Sequence, residues 1–199
     1  MKILVVGASG TLGRAVTVAL AANHEVVAAS RSGAHRVDLT DPPSIAELYR
    51  AVGPVDAVAC CAGHSPFKPL ADLTLEDYRA GLGDKLLGQV ELVRRGLAHV
   101  TDGGSFTLVS GVTSNDPIVG GTAAAVVNGA LDAFVRSAAI ELPRGLRINT
   151  VSATVFEEAW DAFGPFFPGH RPVPVAEVAR AFVKSVDGAQ TGRTYRVGY

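Results

Sequence analysis

Seven residues near the start of the chain constrain its fold more than any others: Gly7-Ala8-Ser9-Gly10-Thr11-Leu12-Gly13. They follow Lys2–Val6, whose run Ile3 to Val6 reads as a buried strand. They lead into Thr11–Asn23, where Leu12, Ala15, Val16, Ala19 and Leu20 share one helical face. A strand that turns through glycines straight into a helix is the opening crossover of a parallel sheet. Gly7 suits a tight turn, Gly10 lets an anion come close to the backbone, and Gly13 lets helix and strand pack closely. Free N–H groups and the helix dipole then favour a pyrophosphate at the helix start. Gly7, Ser9, Gly10, Thr11, Leu12 and Gly13 are the candidate contacts.

The remainder alternates in the same way. Strands are expected at Glu25–Ala29, Arg36–Asp38, Val55–Cys61, Gly104–Ser110, Arg147–Ser152 and Thr194–Val197. Helices are expected at Pro43–Val52, Leu75–His99, Gly121–Leu142 and Pro174–Asp187, with Asp41 or Pro42 near the start of the first and Gly53 past its end. This alternation predicts an α/β Rossmann-type doubly wound parallel sheet of about seven strands, with helices on both faces. At 199 residues the chain fits one nucleotide-binding domain. Ala153–Val173 reads as the one long irregular segment. A loop of that length is usually functional, often a lid.

The chain has 48% hydrophobic and 19% charged residues and a formal net charge of -1. It therefore offers no broad basic face for nucleic acid or an anionic membrane. The first apolar run is too short for a signal peptide or a membrane span, so a cytoplasmic location is the default expectation. The two cysteines, Cys60 and Cys61, are adjacent. Neighbours in a strand point to opposite faces, so neither a disulfide nor a metal site is expected.

The end of the second strand reads Ala28-Ala29-Ser30-Arg31-Ser32, with no carboxylate. An acid there would hold a ribose 2′-OH and repel a 2′-phosphate. Arg31 can pair with a 2′-phosphate, and Ser30 and Ser32 can donate to it. The expectation is NADP(H) in preference to NAD(H).

These motifs resemble the short-chain dehydrogenase/reductase family over about residues 2–199. The glycine spacing G-x-x-G-x-x-G is that of the family's extended and atypical branches. Val37-Asp38-Leu39-Thr40 is similar to the adenine-side segment, which implies that Asp38 and Leu39 lie near the adenine. Cys60-Cys61-Ala62-Gly63 takes the place of Asn-Asn-Ala-Gly, which adds Cys61, Ala62 and Gly63 to the cofactor contacts. Ala130–Ser137 resembles the helix after the family's Tyr-x-x-x-Lys. Arg147–Ser152 resembles the stretch before its Pro-Gly, here Ala153-Thr154, and Val155 follows as a cofactor contact. Thr191-Gly192 resembles the Thr-Gly before the last strand.

The resemblance implies hydride transfer with a tyrosine, a lysine and a serine. This chain departs from that pattern. Ala124 falls at the tyrosine position and Asn128 at the lysine position, and no tyrosine lies between Tyr78 and Tyr195. The serine falls at Ser110 or Gly111, with Ser110 favoured, and the family's helix asparagine falls at Lys85. Alanine has no proton to give, and asparagine carries no charge to lower a neighbour's pKa. Ser110, Lys85 and Asn128 are therefore the catalytic candidates. The competing reading of Lys85 is a surface lysine paired with Asp84 or Glu91. His64, Thr113, Ser114, Asp116 and Thr122 are weaker candidates for a replacement acid.

Three functions stay open at this stage. One is an NADP(H)-dependent oxidoreductase acting on a small carbonyl or alcohol substrate. The second is a cofactor-binding sensor or scaffold without turnover, and the third an enzyme of non-redox chemistry. The aromatic run Trp160–Phe167 reads equally as a cover over the nicotinamide and as core or subunit packing. The family's dimer helices correspond to Leu75–His99 and Gly121–Leu142, so a homodimer or homotetramer is expected from the resemblance.

Overall fold

The computed structural model describes Met1–Tyr199. Seven parallel strands form one sheet in the order β3-β2-β1-β4-β5-β6-β7. They are β1 (Lys2–Val6), β2 (Glu25–Ser30), β3 (His35–Arg36), β4 (Val55–Cys60), β5 (Val100–Val109), β6 (Arg147–Ala153) and β7 (Thr194–Val197). Strand order reverses between β1 and β4, where the doubly wound topology opens a crevice at the strands' C-terminal ends.

Helices cover both faces. On one lie α1 (Thr11–Ala21) and α7 (Val175–Asp187), burying Val16, Leu20, Val178 and Phe182 against Ile3, Val5, Ala57 and Ala59. On the other, α2 (Pro42–Val52), α4 (Gly88–Gly96) and α5 (Thr122–Ala138) bury Ile45, Leu48, Leu92, Leu131 and Val135 against Leu4, Val58, Phe106 and Ile148. This burial on both faces is why β1 and β4 read as near-continuous apolar runs. No helix is long and apolar enough to cross a membrane.

Several boundaries differ from expectation, each for a local reason. β3 is not Arg36–Asp38. The Asp38 N–H is taken by Ser44 Oγ and its carboxylate by Thr40, which ends the ladder early. β5 begins at Val100 instead of Gly104, across a register irregularity where Gly103 adopts φ +74°. Pro42 starts α2 because a proline loses no helical hydrogen bond in the first turn. α5 stops at Ala138 and α1 at Ala21, where closing turns follow.

The helical run expected over Leu75–His99 has three parts. These are α3 (Leu75–Gly81), a π-helical segment (Leu82–Leu87) and α4. Gly88 lets α4 begin against Leu39, since a Cβ there would lie 2.7 Å from Leu39 Cβ and 2.8 Å from its carbonyl oxygen. Nor is Ala153–Val173 irregular throughout. It holds single turns at Glu157–Ala159 and Gly164–Phe166, the short α6 (Trp160–Phe163) and a bridge between Phe156 and Val173. The Glu158 carboxylate ties it down by accepting from the Val175 N–H at 3.0 Å.

Candidate active site

The crevice at the strand reversal is a cleft of about 630 Å³. Gly7, Ser9, Gly10, Ser30, Arg31, Asp38, Leu39, Cys61, Ala62 and Gly63 all line it, as the sequence suggests, and Val37, Thr40, His64 and Asp84 join them. The glycines divide the labour. Gly7 sits at φ +82°, and a Cβ on it would lie 2.8 Å from Ala62 Cβ. A Cβ on Gly13 would collide with the Gly7 carbonyl, so Gly13 serves helix packing and stays outside the cleft. A Cβ on Gly10 would meet nothing nearer than the Gly7 oxygen at 3.5 Å and would stand in the cleft itself. No side chain caps the start of α1, and no acid occupies its first turn. Its amide donors are therefore free for an anion. The cradle fits a diphosphate.

At the other end of the cleft, Ser30 is buried and Arg31 is exposed, with no ion-pair partner. Ser32 does not reach the lining: it sits exposed in the turn between β2 and β3. The Asp38 carboxylate accepts from the Thr40 hydroxyl at 2.7 Å and the Thr40 N–H at 2.9 Å. These bonds, helped by Arg31, hold its pKa below the usual carboxylate value.

A second cavity of about 390 Å³ shares Cys61, Gly63 and His64 with the first. It receives Thr11, Leu12 and Val155 of the expected cofactor contacts, together with Ser110, Lys85 and Asn128. The three catalytic candidates form a chain of contacts. Lys85 Nζ donates to the Ser110 carbonyl at 3.3 Å, and Ser110 Oγ donates to the Asn128 carbonyl at 3.3 Å. Asn128 Nδ2 donates to Thr113 Oγ1 at 2.9 Å, while its buried Oδ1 has no partner. That acceptor is left unsatisfied inside the fold beside the chamber.

Lys85 is not a surface lysine with a salt partner. It is half-buried, Glu91 pairs with Arg94 and Arg95, and Asp84 accepts from the His64 N–H. Desolvation pushes its ammonium down from 10.5 to about 8, against the opposing pull of the Asp132 and Asp84 carboxylates. Burial holds the Cys60 thiol at about 12 and Cys61 well above its ordinary value. Both cysteines are thus neutral, and both are free.

The weaker candidates scatter. His64 is exposed at the junction of the two cavities, and Thr113 is buried as the partner of Asn128. Ser114 Oγ donates to Asp132 at 2.9 Å. Asp116 lies 3.7 Å from His170, and Thr122 is outside both cavities.

Sequence reasoning passes over Gln89, which is fully buried and clamps two elements. Its Nε2 donates to the Lys85 and Val109 carbonyls at 2.9 and 3.0 Å, and its Oε1 accepts from the Val109 N–H at 3.0 Å. A glutamine inside an otherwise apolar helical stripe is the signal that could have found it. Ser65, Phe67 and Thr154 also line the second cavity unforeseen. They come from loops whose paths the local pattern does not specify.

Fold and site define a Rossmann-type protein with a glycine-lined nucleotide cleft opening into a second, mostly apolar chamber. A family model described as enoyl-(acyl carrier protein) reductase matches residues 8–168, and the chain belongs to the short-chain dehydrogenase/reductase family of oxidoreductases. The crystal structure of the protein lin1944 from Listeria innocua is 52% identical and covers 99% of both chains at a TM-score of 0.97. A small-chain dehydrogenase solved in complex with NADPH shares the fold at a TM-score of 0.88, with 22% identity over 99% of this chain and 96% of that one. Versicolorin reductase 1 of Aspergillus parasiticus is 30% identical over 178 residues, 75% of this chain and 67% of that protein. A hydroxynaphthalene reductase of Aspergillus fumigatus is 29% identical over 131 residues, 63% of this chain and 48% of that protein. The chain thus spans about half to two thirds of the length of these curated relatives.

Proposed function

We propose that the chain is an NADP(H)-dependent reductase of carbonyl compounds in which Lys85 supplies the proton that a tyrosine supplies in the family pattern. The observation that carries this reading is Lys85 itself. It is a half-buried ammonium, lowered to about 8, that lines the chamber joined to the nucleotide cleft. A proton donor works best when its pKa lies near the operating pH.

When bound, the reduced nucleotide supplies a hydride to the carbonyl carbon and is itself oxidised. The chain's own residues do the rest. The uncapped start of α1 holds the diphosphate. Arg31 pairs with a 2′-phosphate, and Asn128 Oδ1 accepts from a ribose hydroxyl. The Ser110 hydroxyl, leaving its long bond to Asn128, donates to the substrate oxygen. Lys85 delivers the proton to that oxygen, which becomes the alcohol, and the neutral amine regains a proton from water. Names of curated relatives that are reductases, and a structural neighbour solved with NADPH, support this direction and this cofactor.

The test is NADPH consumption with carbonyl substrates against pH, in the native chain and in Lys85→Met. Native turnover should be level at low pH and fall as pH rises through about 8. The variant should lose about a hundredfold or more in kcat while still binding NADPH. Unchanged kcat in Lys85→Met removes the lysine from the mechanism. Intact nucleotide binding with no turnover by the native chain on any carbonyl would point to a sensor.

A further inference from the structure

We propose that the second chamber is shaped for an aryl carbonyl, with the substrate's ring seated against an aromatic wall centred on Phe67. This rests on the reductase reading of the same site and names its substrate class.

The chamber holds one connected polar cluster, Lys85, Ser110, Asn128 and Thr113, joined by hydrogen bonds, beside the separate polar residues Thr11, His64, Ser65 and Thr154. Phe67, Phe156, Phe163 and Phe167 line it, and three of these, Phe67, Phe163 and Phe167, come together from two stretches more than ninety residues apart in sequence. They converge on one ring. Phe67 meets Phe163 at 5.8 Å between centroids and 63° between planes. It meets Phe167 at 6.2 Å and 49°, and Phe166, behind the wall, at 5.4 Å and 53°. Every pair is tilted or edge-on, the arrangement that offsets ring quadrupoles and leaves edges and faces available to a further ring.

The wall is also held in place. The Phe167 N–H donates to the Gly164 carbonyl at 2.9 Å, and the Lys68 N–H to the Gly120 carbonyl at 3.0 Å. A Cβ on Gly164 would sit 2.7 Å from the Trp160 ring, so that glycine lets the indole lie flat on the turn. Phe167 is 6% exposed and Phe163 38%, so the wall runs from the core to the mouth. A pre-formed, mostly apolar chamber with one connected polar cluster takes a ligand with a single polar group and an apolar body. An aryl ketone or aldehyde has that form.

The experiment compares acetophenone with cyclohexyl methyl ketone, which share a carbon skeleton and differ in aromaticity. Affinity is measured by calorimetry at saturating NADP+ in the native chain and in Phe67→Leu, which keeps an apolar side chain and removes the ring. The native chain should bind the aryl ketone at least tenfold more tightly, and the variant should bind the two within about twofold. Equal affinities in the native chain, or a tenfold preference that survives in Phe67→Leu, would overturn the proposal. Turnover is read separately. Selective binding of the aryl ketone without reduction by NADPH sinks the reductase reading and leaves the chamber's ring preference standing.

Discussion

Gly63 and Lys85 are packed directly against each other: a Cβ on Gly63 would lie 2.7 Å from Lys85 Cγ and 2.9 Å from its Cα. Gly63 also holds φ +129°, a conformation that side-chain-bearing residues rarely adopt. It lies just past the end of β4, lines both cavities and lets the π-helical segment pack closely against this stretch. Gly63→Ala should therefore lower thermal stability and carbonyl turnover together, at a cost of about 1–3 kcal/mol in folding free energy. Chemical denaturation and steady-state kinetics on one preparation check this. A variant as stable and active as the native chain would show that the contact constrains nothing.

Lys85 should cost the fold stability at neutral pH. Its pKa is about 8 when folded and near 10.5 when unfolded, so the unfolded chain binds the extra proton between those values. Native stability attributable to this group is lowest below pH 8 and recovers as pH rises from 8 to 10.5. Lys85→Met removes the penalty. It should melt above the native chain at pH 7, with the gap narrowing steadily towards pH 10.5. Melting curves at half-unit pH steps read this directly, and a gap that widens with pH contradicts it.

Arg31 should decide the choice between the two nicotinamide nucleotides. It is exposed on the cleft wall and its side chain makes no ion pair or hydrogen bond within the chain, acting only at a distance on Asp38, so its removal should leave the fold intact. Loss of a charge-assisted pair with a 2′-phosphate corresponds to about a ten- to hundredfold weaker Kd. Arg31→Ala should weaken NADPH by that factor and leave NADH within about twofold. The difference should shrink at high salt, where an exposed pair is screened. Equal losses for both nucleotides would assign Arg31 to another task.

Gln89 should matter for stability well beyond its single side chain. Gln89→Leu leaves the buried N–H and carbonyl of Val109 without their partner and frees the Lys85 carbonyl. About 2–4 kcal/mol of folding free energy should be lost. The remaining folded protein should show a shifted pH profile, because the backbone that carries Lys85 is no longer clamped to β5. A urea midpoint and the apparent pKa of turnover together separate this positioning role from simple loss of packing.

The sequence alone carried the sheet and the glycine turn, and its candidate contacts from Gly7 to Gly63 line one or both of the two cavities except Gly13 and Ser32, which line neither. These depend on local rules: apolar runs buried on both faces, glycines where a Cβ has no room, and no acid after β2. Lys85, Ser110 and Asn128 became candidates only through the resemblance to the short-chain dehydrogenase/reductase pattern, aligned along the chain. What the sequence could not carry was anything set by two distant segments meeting. The close packing of Lys85 against Gly63, 22 positions earlier, forms only once the two segments meet. The Gln89 clamp exists only once β5 lies beside α4, and the aromatic wall only once the loop after β4 reaches the segment after β6. Periodicity reports which face of an element is buried. Desolvation, hydrogen-bond partnership and cavity shape belong to what is buried against it, and only the packed chain decides that.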